Sequence, residues 1–133
     1  MEQPPDHPPA IRITAMPADV NPYGDMFGGW LMSLMDLAAG SVASRHCGGR
    51  AVTVAVDAMK FHRPVIVGDE VSVYARLVGT GTTSMTIETE SWRRGRHSDE
   101  AYKVTQARLV FVAIGDDRQP RRVPVMSGEK QSA

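Results

Sequence analysis

The sequence predicts an α+β fold in which a curved antiparallel five-stranded sheet wraps around one long central helix. Three observations lead there. A single segment of helical length, GGWLMSLMDLAAGSVASRH, is apolar around most of its circumference. One short alternating stretch precedes it and four long stretches rich in β-branched residues follow it. The connections between the later stretches are short, which favours antiparallel neighbours.

In chain order, residues 1–10 are rich in proline, with Pro4, Pro5, Pro8 and Pro9 among acidic and polar neighbours, and are expected to form a loose tail. The single domain is expected over residues 11–125. Its first strand alternates over 11–16 and stops before Pro17, and Asn21-Pro22-Tyr23-Gly24 marks a turn. The helix is expected over about 27–46, where Trp30, Leu31, Leu34, Met35, Leu37, Ala38, Val42 and Ala43 cover so much of the cylinder that it reads as a core helix. Strands follow over 51–61, 70–80, 82–92 and 101–114. Alternation assigns Val52, Val54 and Val56, then Val71, Val73 and Ala75, then Met85 and Ile87, then Leu109, Phe111 and Ala113 to the face that meets the helix. Tyr102, Val104, Val110 and Val112 are too apolar for a freely solvated opposite face, which implies a homo-oligomer. Residues 126–133 are small and polar and are expected to form a second loose tail.

Composition narrows the function classes. At 133 residues with 42% hydrophobic content and a formal net charge of zero, the chain fits one core and has no electrostatic footprint for nucleic acid or an anionic membrane. The lone Cys47 excludes an internal disulfide, and none of the four histidines has metal-ligand spacing, so no metal is expected. The glycines match neither a phosphate-binding loop nor a dinucleotide fingerprint, so ATP and NAD are disfavoured and no cofactor is expected. No apolar run approaches the roughly 20 residues of a membrane span, and the first residues lack a signal-peptide pattern; the expected location is the cytoplasm.

Asp36 is the first candidate for chemistry, because it lies in the middle of the apolar helix and an unpaired carboxylate in such surroundings costs several kcal/mol or takes up a proton. On the residues alone, a catalytic role and a structural one, capping a neighbouring loop or pairing with an arginine across a subunit interface, weigh equally. Asp25, just before the helix, suits N-terminal capping. His46 suits capping of the helix end, and neighbours in sequence such as His46 and Cys47 point away from each other on a helix. Lys60, His62 and Arg63 group at a strand end, Gly81, Thr82, Thr83 and Ser84 form a hydroxyl-rich turn, and Arg93, Arg94 and Arg96 form a second basic group that a solvated hairpin end explains as well.

The stretch Met16-Pro17-Ala18-Asp19, then Asn21, then Gly24-Asp25-Met26-Phe27-Gly28-Gly29-Trp30-Leu31-Met32-Ser33-Leu34-Met35-Asp36, resembles the signature of the hotdog-fold acyl-CoA thioesterases, most closely the bacterial YciA type. Val52-Thr53-Val54-Ala55-Val56, Met59 with Phe61, Arg63-Pro64-Val65, Val67-Gly68-Asp69 and Gly81-Thr82-Thr83-Ser84 fall where this family has comparable segments, so the similarity runs from about residue 11 to 124. The resemblance implies a hotdog fold and a thioester bound at a subunit interface, with a carboxylate from one chain and backbone amides at the helix start of the other. It also implies dimers that associate further into hexamers, as trimers of dimers.

Carried onto this chain, the resemblance makes Asp36 the group that activates water, or that attacks the thioester to give an anhydride; the base role is favoured. Gly28 and Gly29 would supply the oxyanion donors without a Cβ in the way. Family members carry Asp or Asn at the position of Asp25, which implies that it positions substrate or water. Phe27 stands where many hotdog relatives have histidine; it belongs with the substrate-contacting residues and removes a histidine role there. Coenzyme A carries several phosphate charges, so Lys60, His62, Arg63 and the 81–84 turn are expected to contact the substrate. The expected reaction is hydrolysis of acyl-CoA to a free acid and CoA. Hydration or dehydration of an acyl thioester, which usually calls for a histidine-containing dyad near the helix start, and a non-catalytic acyl-CoA binding or sensing module are the alternatives; Phe27 speaks against the first and Asp36 against the second.

Overall fold

The computed structural model describes residues 2–126. Its elements are strand β1 (Ile11–Thr14), a 3-10 turn (Pro17–Asp19), helix α1 (Gly28–Cys47) and strands β2 (Ala51–Phe61), β3 (Glu70–Thr80), β4 (Ser84–Arg94) and β5 (Ala101–Ala113). The strands form one sheet in the order β1-β3-β4-β5-β2, with every neighbouring pair antiparallel. This is the expected architecture, and it leaves β1 and β2 as edges.

The helix lies against one face of the sheet. Leu31, Leu34, Met35, Ala38, Ala39 and Ala43 pack with Val71, Val73, Met85, Ile87, Leu109 and Phe111 into a single core. Alanines on this stripe let the helix sit close to the strands; a methyl added at Gly40 would already touch the Phe111 ring at 3.5 Å. The helix ends at Gly48, whose φ of 67° is the left-handed conformation that glycine adopts without strain and whose N–H donates to the Ser44 carbonyl. His46 therefore does not cap the helix. Its Nε2 instead lies 2.7 Å from the carbonyl of Pro124, tying down the segment after β5. Arg121 donates to the carbonyls of Cys47 and Ile114, and the N–H of Val123 to Thr82, so that segment closes the C-terminal end of the helix.

Two expectations about faces are corrected. The sheet wraps one side of the helix, and Met32 and Leu37 on the far side stay exposed, Leu37 by 65%. Val52, Val54 and Val56 do not share the helix face. Thr53 pairs with Phe111 but Ala55 with Val110, so Val54 is the extra residue of a β-bulge and the in–out parity reverses across it. Val52 then lies opposite Val112 on the outer face and Val56 opposite Leu109 on the helix face, and all three valines are exposed. Finally, Val104 belongs to the core, fully buried, and Tyr102, Val110 and Val112 are half-buried. Exposed apolar side chains lie along the β2 edge and on the open side of α1.

Residues 2–10 continue past β1 over the outer face. The Ala10 N–H donates to Val73, the His7 ring meets Tyr74 edge-on at 5.6 Å, and Glu2 lies 3.9 Å from Lys103. The C-terminal tail expected over 126–133 falls, beyond Met126, outside the described residues.

Candidate active site

The start of α1 is held by its flanking loop. Asn21 accepts from the N–H groups of Tyr23 and Asp25 through its Oδ1, the Met26 N–H donates to Val65, and the Phe27 N–H donates to Asp19. Phe27 occupies the cap position and contributes no side-chain hydrogen bond. Asp25 is thus not the helix cap; its carboxylate has no partner among the described residues, while its backbone bridges Ile66. The first bonds back into the loop are made by Trp30 and Leu31, both to the Phe27 carbonyl. The N–H groups of Gly28 and Gly29 have no acceptor among the described residues, and both glycines are exposed. A Cβ on Gly29 would meet nothing within 4 Å, and one on Gly28 would meet only the Phe61 ring, at 3.3 Å. Two unpaired donors at a helix N-terminus facing open space form a site for developing negative charge.

Asp36 is not buried in the single chain. It lies on the open side of α1 and accepts a 2.5 Å hydrogen bond from the Thr53 hydroxyl on β2. Both line a cavity of about 300 Å³ whose other walls are Met32, Ser33, Val56, Met59 and Leu109. No cation pairs with Asp36 among the described residues of the single chain. The arrangement presents an accessible carboxylate to an apolar slot, as a base or nucleophile requires. Eight residues separate Gly28 from Asp36, about 12 Å along the helix, so one chain's carboxylate does not reach its own helix-start amides.

Lys60, His62 and Arg63 meet as expected, in a second and separate cavity of about 620 Å³ that Lys103, Arg108 and Glu2 also line. The antiparallel register assembles it: Lys60 lies opposite Gln106 and Asp57 opposite Arg108. Arg63 donates to the Lys103 carbonyl and lies 5.1 Å over the Tyr102 ring, which Arg93 approaches at 5.4 Å. The Tyr102 hydroxyl donates to Glu100, and this bond together with the Glu100 charge raises its pKa above the usual 10.0, against the opposing pull of the two arginines.

The turn at 81–84 does not join this cavity. Its carbonyls at Thr82, Thr83 and Ser84 accept from Val123, Ala113 and Gly81. Ser84 lies opposite Val112, whereas Phe61 lies opposite Thr105, a separation of roughly 23 Å along β5. Sequence reading missed Thr53, Lys103 and Arg108. Thr53 was hidden by the bulge that decides its face, and the other two enter through a strand register that no local pattern announces.

Residues 23–99 match the family model of the thioesterase superfamily. The chain is 58% identical over 119 residues to an uncharacterised acyl-CoA thioester hydrolase of Zymomonas mobilis, covering 90% of this chain and 80% of that protein. It is 48% identical over 118 residues to the acyl-CoA thioester hydrolase YciA of Escherichia coli, covering 86% and 89%. Among solved structures, the hexameric thioesterase y2039 from Yersinia pestis superposes with a TM-score of 0.86 at 44% identity, over 92% of this chain and 99% of that one.

Proposed function

We propose, from the premise that the chain belongs to the thioesterase superfamily, that it hydrolyses acyl-CoA at a site shared between two copies of itself. Its hotdog fold and its kinship with acyl-CoA thioester hydrolases make it an enzyme of that class. The observation that carries the detailed reading is the exposed Asp36 at an apolar cavity, about two helical turns from two amides without an acceptor among the described residues.

In this mechanism Asp36 accepts a proton from a water molecule, and the water oxygen attacks the thioester carbonyl carbon. The carbonyl oxygen gains negative charge in the tetrahedral intermediate, where the N–H groups of Gly28 and Gly29 from the other copy donate to it. Collapse of the intermediate breaks the carbon–sulfur bond and releases the CoA thiolate and the free acid. Asp25, with an unpartnered carboxylate beside the helix start, orients the substrate or the water, and Phe27 flanks the thioester. Lys60, His62 and Arg63, joined by Lys103 and Arg108, take the phosphates in the larger cavity. The turn at 81–84 is too far along the sheet to share a phosphate with Arg63 of its own chain.

Strand β2 supplies the means of pairing. It is an edge strand, and a second copy of it laid antiparallel continues the sheet about a two-fold axis while covering Met32 and Leu37 of α1. Trimers of such dimers give the hexamer.

The test is thiol release from acyl-CoA esters of increasing chain length, with wild type and with Asp36→Asn in a variant shown to be folded and assembled. A loss of about 100-fold or more on the best ester supports the reading. Near-wild-type turnover by the variant overturns the role of Asp36. Binding of acyl-CoA without turnover by the wild type would make the protein a binding module.

A further inference from the structure

Among the described residues Asp36 has one side-chain hydrogen bond, and it comes from a residue to which neither the motif nor the mechanism above assigns a role. The Thr53 hydroxyl donates to Asp36 Oδ1 at 2.5 Å across the gap between β2 and α1. This geometry is specified by the backbone. Thr53 lies opposite Phe111, whose side chain is in the core, so it faces the helix, and the bulge at Val54 follows immediately. Without that extra residue, strand parity would put Thr53 on the same face as Ala55 and Asp57; with it, Thr53 shares the helix face with Val56. Bulges next to active sites re-aim a side chain in this way.

We infer that Thr53 is a positioning residue for Asp36, an inference that rests on the proposed role of Asp36 as base. A carboxylate on a helix has freedom about two side-chain torsions, and only some orientations leave an oxygen free to take a proton from water. Occupying Oδ1 with a hydroxyl donor holds the carboxylate plane and leaves Oδ2 free to take a proton. The other cavity walls, Met32, Ser33, Val56, Met59 and Leu109, carry no charge that could orient it instead. Thr53 is exposed in the chain, so its hydroxyl is not needed to satisfy a buried group of the core. A threonine also suits the strand and is stiff at χ1, which fixes the direction of the donor.

The experiment is a double-mutant cycle on thiol release using Thr53→Val, Thr53→Ser, Asp36→Asn and Thr53→Val with Asp36→Asn, each confirmed to have wild-type secondary structure and mass. Thr53→Val is expected to lower kcat by roughly 10- to 100-fold with KM changed less than about threefold, and Thr53→Ser to restore most of it. In the Asp36→Asn background, Thr53→Val is expected to change kcat by less than about twofold, since there is no base left to orient. Equal losses in both backgrounds, or a serine variant as slow as the valine one, would overturn the positioning role. Full activity of Thr53→Val with an inactive Asp36→Asn would do the same while leaving the role of Asp36 intact. An active Asp36→Asn would instead remove the reading on which the inference rests.

Discussion

Replacing Val54 with lysine tests whether β2 is the seam on which activity depends. Val54 is the unpaired bulge residue of an edge strand and keeps 56% of its surface in water, so the change leaves the fold of the single chain untouched. In a two-fold dimer it counts twice. Covering the exposed part of one valine contributes roughly 1 kcal/mol, and an ammonium left without a partner in an apolar seam costs at least about 2 kcal/mol more. Over two copies the difference is about 6 kcal/mol, or about 10,000-fold in the dissociation constant. Sedimentation velocity across the micromolar range should show a lighter species for Val54→Lys with unchanged circular dichroism, and thiol release should fall with the fraction assembled. A variant with wild-type mass at every concentration would refute the seam, and a light species with full activity would refute the shared site.

Two further changes separate stability from chemistry. Gly29→Ala adds a methyl that meets nothing within 4 Å in the chain and replaces glycine in the first helical turn, so it should raise the thermal midpoint by about 2–4 °C. The same methyl should obstruct approach to the amide and lower kcat/KM by about 10-fold or more; a stabilised and fully active variant would remove Gly29 from the donor set. Lys60→Ala with Arg63→Ala should raise KM for acyl-CoA by about 10-fold or more while leaving turnover of a short thioester that lacks phosphates unchanged; equal effects on both substrates would take the phosphates out of that cavity.

Legibility followed the range of the interaction. The helix and the five strands were readable because periodicity and turn chemistry are local: the β3 limits agree to the residue, and β4 begins two residues later than expected because Gly81 closes its turn on Ser84. The faces of β2 were not readable, since one bulge residue reverses the alternation and its position is set by pairing with β5. The motif singled out Asp36, Gly28 and Gly29, which the proposed mechanism uses, and the clustering of Lys60, His62 and Arg63 in sequence matches the one cavity that they line. The environment of Asp36 was not readable, because an apolar sequence on both sides of a helix states only that both sides need covering. It does not state whether the same chain or another one covers them.

That distinction bears directly on the chemistry. The sheet covers one side of α1 with the core, and the other side, carrying Asp36 between Met32 and Leu37, stays exposed in the single chain. A base buried in its own chain would be closed to substrate, and a base on a permanently solvated face would sit among freely exchanging water with no slot for the acyl group. At the edge of the proposed interface it would be enclosed only when the partner arrives, and the same step would bring the partner's helix-start amides, which its own chain keeps about 12 Å away. In the proposed dimer, pairing through β2 would supply water exclusion, the oxyanion donors and the apolar wall together. Weakening the seam should lower kcat in proportion to the dimer lost and leave KM of the remaining dimer unchanged, whereas a change confined to the cavity walls should alter KM at full assembly.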